Sequence, residues 1–132
     1  MKVTFLRLDE VLRVHADQIA RYGGLAGVRD LGLLESAVAA PEASFDGRYL
    51  HATLAEMAAA YLFHLAQNHP FVDGNERAAA ATAFLFLSLN DLLLDCTEDA
   101  LVDLTVGVAS GRRTKAEAAV FLAKHARPAE ED

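Results

Sequence analysis

Along most of the chain, apolar residues recur with the 3.6-residue period of an α-helix, but from Ala78 to Leu89 they run almost unbroken, with only Thr82 and Ser88 polar. A helix of that composition is apolar on every side and belongs in the middle of a bundle. The segments around it are amphipathic and carry start and stop signals. Leu8, Val11, Leu12, His15, Ile19 and Tyr22 form one apolar face, with Asp9 as the expected N-cap and Gly23-Gly24 as the stop. His15 on that face reads as a core histidine with a hydrogen bond, and Val3 to Leu6 reads as extended or as a lead-in to the helix. Asp30 caps a second helix carrying Leu33, Leu34, Ala37 and Val38, which Pro41 ends. Thr53-Leu54-Ala55-Glu56 is a capping box for a third, with Leu54, Met57, Ala58, Tyr61, Leu62 and Leu65 on its face. Past Asn90-Asp91, Thr97 caps a helix through Leu101, Leu104, Thr105 and Val108, and Gly107 within it signals close packing. Gly111 stops that helix, and Thr114-Lys115-Ala116-Glu117 opens a last one to His125. Pro128 and Glu130-Glu131-Asp132 are predicted to fray.

One stretch departs from the helical pattern. Phe45-Asp46-Gly47-Arg48-Tyr49 sets an Asp-Gly turn signal between aromatic residues, which predicts a hairpin. The expected fold is all-α: a single domain over residues 1–132, a bundle of about six helices with a central buried helix and a small β-hairpin.

Composition narrows the function. Over half the residues are apolar, yet no run reaches the ~18 residues of a membrane span, and no basic-then-apolar leader opens the chain, so a cytoplasmic protein is expected. The net charge of −7, from 19 acidic and 12 basic side chains, argues against a broad nucleic-acid surface. The one cysteine, Cys96, excludes an internal disulfide and reads as a small core residue. His51, His64 and His69 do not stand at the spacing of a helical zinc pair.

The candidate chemistry lies just ahead of the apolar helix, in Asn68-His69-Pro70-Phe71-Val72-Asp73-Gly74-Asn75-Glu76-Arg77. A helix starting near Gly74 points its first N–H groups and the positive end of its dipole back at this loop, which favours an anion. Gly74 permits close backbone approach to a phosphate, Arg77 can fork onto phosphate oxygens, and Asp73 can hold Mg²⁺ against them. Pro70 ends the preceding helix near Asn68 and leaves His69 beside the loop as a candidate general base.

His69 to Arg77 resembles the signature of the Fic/Doc family, H-x-F-x-D/E-G/A-N-G/K-R. Arg21-Tyr22-Gly23-Gly24-Leu25 and Asp103-Leu104-Thr105-Val106-Gly107 resemble the start and end of the small Doc (death-on-curing) proteins of that family, so the likeness spans most of the chain. The resemblance implies the toxin of a toxin–antitoxin module, which transfers a phosphoryl group from Mg-ATP to a Ser or Thr hydroxyl of a translation factor such as elongation factor Tu. It also implies a Phd-like, DNA-binding antitoxin as partner. Carried over by position, His69 deprotonates the target hydroxyl, Asp73 ligates Mg²⁺, Asn75 and Arg77 hold phosphates alongside Gly74 and Glu76, and Phe71 anchors the loop. The hairpin Phe45, Asp46, Gly47, Arg48 and Tyr49 corresponds to a flap that takes the target peptide by strand addition. Other Fic enzymes transfer AMP instead, and the self-inhibitory S/T-x-x-x-E-G/N segment of some of them does not occur here.

Glu76 departs from the pattern, standing where AMP-transferring members carry Gly and Doc carries Lys. A carboxylate about 4 Å from a phosphate costs ~1 kcal/mol in water-like surroundings and several-fold more when partly buried. Three readings are open: Glu76 faces solvent, it takes part in Mg²⁺ binding, or the protein is a catalytically weak antitoxin-binding member of the family.

Overall fold

Four of the helices in the computed structural model, which describes residues 2–129, start at the caps read from the sequence. Asp30 accepts the Leu33 N–H to open α2, Leu31–Ala39. Thr53 and Glu56 form the reciprocal box that opens α3, Leu54–Asn68. Thr97 opens α5, Glu98–Ala109, and Thr114 with Glu117 opens α6, Lys115–His125. The first helix, α1, runs Leu8–Tyr22 and is capped differently from the expectation. Its N-cap is Arg7, whose N–H is taken by the Glu10 carboxylate at 2.9 Å, while Asp9 lies in the first turn and pairs with Arg7 and Arg13.

The apolar stretch forms α4, Asn75–Leu89. It packs most extensively on α3, and both helices carry fully buried alanines (Ala58, Ala59 and Ala66 on α3; Ala78, Ala79 and Ala83 on α4). Such small residues let the two backbones approach closely, in the manner of ridges set into grooves. α2 and α6 lie on α3, α1 lies on α4, and α5 touches both. One face of α4 stays open, with Phe84 41% exposed beside a cleft. Gly107 is as tightly packed as expected, since a Cβ there would lie 2.7 Å from Arg113 Cγ.

Two short antiparallel pairs complete the fold. β1, Ser44–Phe45, and β2, Arg48–Tyr49, form the expected hairpin, turned by Asp46 (φ 53°) and Gly47 (φ 77°). Positive φ at both central residues is the turn whose twist matches paired strands. The second pair was not foreseen: β3, Leu92–Leu94, pairs with β4, Ala126–Pro128, which corrects the expectation that Pro128 frays. Bonds from Asp95 N–H to His125 O and from Ala129 N–H to Asp91 O, with the Arg127–Asp95 ion pair at 2.7 Å, hold this segment; Glu130-Glu131-Asp132 lie outside the described residues. Val3 to Leu6 is a lead-in without helix, tied to Asn90 through Thr4 and to the Tyr61 hydroxyl through the Leu6 N–H. No described helix is long and apolar enough to cross a membrane.

Candidate active site at the start of the fourth helix

The chain leaves α3 through His69, a non-glycine residue in the left-handed region (φ 46°, ψ 55°), and enters α4 through Gly74 (φ 72°). A β-carbon makes the left-handed conformation costly, so neighbours must hold His69 there. Several do. Val28 and Phe71 form an antiparallel bridge, Val72 N–H donates to Gly27 O at 3.0 Å, and the Arg29 and Asp30 N–H groups both donate to Pro70 O. The Arg29 guanidinium donates from Nε to His69 O at 2.6 Å and from Nη2 to Asn68 O at 2.8 Å.

Phe71 is the buried anchor expected of it, 1% exposed and stacked on His15 with ring centroids 3.7 Å apart. His15 Nε2 bonds the Asp73 carbonyl at 2.8 Å, so this core histidine reaches across the sequence to support the loop. Asp73 itself is exposed. Its Oδ1 accepts from Gly74 N–H at 2.9 Å and its Oδ2 from Leu25 N–H at 3.1 Å, while Gly24 lies so close that a Cβ there would stand 2.8 Å from Oδ2.

Asn75, whose amide the sequence reading assigned to phosphate, also braces the loop. The side chain is only 7% exposed; Oδ1 accepts from Phe71 N–H at 2.9 Å and Nδ2 donates to Phe71 O at 3.1 Å. Each half of the amide thus gives one hydrogen bond to bracing the loop, and the second N–H of Nδ2 is not used there. What α4 offers an anion is backbone: no side chain caps its N-terminus, and its first helical bond is from Ala78 N–H to Gly74 O. Glu76 is partly buried in that first turn, and Arg77 is exposed, with its guanidinium 4.1 Å over the Tyr22 ring. Tyr22 in turn donates to Glu98 at 3.1 Å. Arg77 also borders a cleft of about 320 Å³ between α1, α4 and α5, lined among others by Gln18, Phe84, Cys96 and Leu101. Cys96 packs at the edge of the core, and burial followed by the nearby Asp95 pushes its thiol up, away from the thiolate a nucleophile needs.

Outside the loop, Lys115 Nζ lies 3.2 Å from His51 Nε2 and 3.5 Å from His64 Nε2. Burial, reinforced by the ammonium, lowers the His64 imidazole to about 4 and lowers His51 as well, so both accept as neutral rings at pH 7. The expected flap residues are all exposed on the hairpin, and the Tyr49 ring meets Phe5 edge-on at 5.5 Å. Arg29, Gly27 and the supporting role of His15 escaped the sequence reading; only Gly24 and Leu25, within the resembling Arg21–Leu25 stretch, carried any advance signal.

The model of the Fic/DOC family matches residues 5–87. A "Toxin Doc" of Mycolicibacterium smegmatis is 44% identical over 108 residues, covering 80% of this chain and 81% of that protein. A "Protein kinase doc" of Escherichia phage P1 is 40% identical over 105 residues, covering 78% of this chain and 80% of its own.

Proposed function

The chain belongs to the Fic/Doc family, and from that premise we propose that it is the cytoplasmic toxin of a toxin–antitoxin module, a kinase that moves the γ-phosphoryl group of ATP onto a Ser or Thr hydroxyl of a translation factor such as elongation factor Tu. The observation that carries this reading is the exposed His69, its backbone tied by Arg29, one loop away from the uncapped N-terminus of α4. A loop fixed this way presents a base and an anion site in constant relative position, and positioning is most of what phosphoryl transfer asks of a protein.

In this mechanism His69 accepts the proton of the target hydroxyl, the freed oxygen attacks the γ-phosphorus, and the bond to the β-phosphate oxygen breaks to release ADP. The α4 N–H groups and Arg77 offset the phosphate charge, and Asn75 keeps the loop in shape through Phe71. Asp73 suits Mg²⁺: it is exposed, and each carboxylate oxygen has spent only one lone pair, on a backbone N–H. Asp73 would hold the ion, which when bound would supply charge neutralisation on the phosphates. The partner that silences the toxin is a Phd-like antitoxin.

The test is to incubate the protein, and a His69→Ala control, with Mg²⁺ and elongation factor Tu, using ATP labelled at the α or the γ position. Label from γ alone, lost in the control by about 10²- to 10⁴-fold, is the expected result. Label from α identifies AMP transfer instead. No label from either leaves two readings, another protein target or a site that Glu76 has disabled for transfer.

A further inference from the structure

We infer that Arg29 is a positioning residue for the base, fixing His69 by binding the end of α3 from outside the catalytic loop. This rests on the transfer reading given above, in which His69 is the base. The last carbonyls of a helix have no intrahelical partners, and here those of Asn68 and His69 are taken by two nitrogens of a single planar guanidinium, at 2.8 and 2.6 Å. The cation also stands at the negative end of the α3 dipole. The backbone N–H of the same residue donates to Pro70 O at 2.7 Å, so Arg29 touches three consecutive peptide units around the left-handed His69. Asn68 is held in turn from α2, its Nδ2 donating to Leu33 O at 3.0 Å. None of these contacts reaches the His69 imidazole. They determine where the backbone launches it.

The fork distinguishes arginine from other cations. A lysine at position 29 retains charge at the helix end yet offers one compact ammonium to two carbonyls. The consequences fall on the base and leave the nucleotide contacts of Asp73, Arg77 and α4 alone, so turnover and affinity separate.

The experiment measures kcat and the KM for ATP, with melting temperature, for the full chain and for Arg29→Met, Arg29→Lys and Arg29→Ala. Arg29→Met is expected to lower kcat about 10- to 100-fold with KM for ATP unchanged within about twofold, Arg29→Lys to lie between it and the parent, and millimolar guanidinium to restore part of the activity of Arg29→Ala. An unchanged kcat, or a kcat that falls while the KM for ATP rises and the melting temperature drops, overturns the inference. If the parent transfers no label, the transfer reading fails for elongation factor Tu, and the positioning is then decided by NMR. In Arg29→Met the His69 imidazole and Val72 amide signals are expected to shift or broaden while Ala118 and Leu122 stay in place; unmoved His69 and Val72 signals count against it.

Discussion

The His69–Gly74 loop and the Ser44–Tyr49 hairpin are both short non-helical segments, yet they are secured in opposite ways. The loop is held by α1 through His15, by residues 25–30 through backbone and guanidinium bonds, and by its own helix through Asn75. The hairpin is held by its two-residue turn, by the Leu50 N–H to Ala43 O bond at its base, and by Tyr49 on Phe5, with Phe45 76% exposed. A base and a phosphate site need fixed distances, which many long-range contacts enforce. The proposed role of the hairpin, accepting a target peptide by strand addition, would need a free edge, which burial would abolish. Order of this kind is a property of neighbours and not of loop length.

The sharpest way to break the comparison is to truncate one Phe in each segment. Phe71→Ala is expected to destabilise by about 3–5 kcal/mol in urea unfolding, because it empties a closed site. Equal stability of Phe71→Ala and the parent would undo the claim that the loop is anchored through the core.

Acid is expected to act on the hairpin's side first. The usual pKa of an unfolded histidine is 6.5, whereas folded His64 holds out to about 4, so between these values the unfolded chain binds more protons and stability falls as pH drops. Stability is complete above 6.5 and declines toward 4; melting curves across that range should show the slope, reduced in His64→Gln. Lys115 links His64 to His51, which follows β2, so hydrogen exchange at the Leu50 N–H should quicken on acidification before that at the Val72 N–H.

Two glycines at positive φ give a matched pair. Gly24→Ala meets both backbone strain and the Asp73 carboxylate at 2.8 Å, for an expected loss of about 1–3 kcal/mol and a raised Mg²⁺ concentration for half-maximal activity. Gly47→Ala meets nothing within 4 Å and loses only the backbone preference, about 1 kcal/mol, which should appear in the KM for the protein target and hardly in the melting temperature.

Glu76→Lys places a cation in the first turn of α4 and is expected to improve the KM for ATP roughly fivefold, ~1 kcal/mol. The smallest effect belongs to Phe45→Ala, within about 0.5 kcal/mol of the parent in stability. A larger loss there would mean that the hairpin is packed after all.

Much of this molecule is written locally. Asp30, Thr53, Thr97 and Thr114 start helices because a side-chain oxygen three residues from an orphan N–H needs no tertiary help, and Pro41, Gly23 and Gly111 mark ends through their own backbone limits. The continuous apolar run announced α4, and the nine residues from His69 announced the family. The N-cap at Arg7 instead of Asp9 is a small miss of the same local kind, decided by which carboxylate reaches the Arg7 N–H. Other features had no local signature. β3 and β4 lie some thirty residues apart and are too short for a strand period to declare itself, so only their pairing makes them strands. That Asn75 braces the loop was decided by the close return of Phe71. His15 stacked under Phe71 and Arg29 forked onto the end of α3 bring together residues 39 or more positions apart, and chain composition does not encode that distance. The sequence by itself determined the helices, their caps and the chemical groups at the site; the packing of α1 and residues 25–30 against the loop determined where those groups point, because an imidazole's position depends on contacts that exist only after the chain has closed on itself.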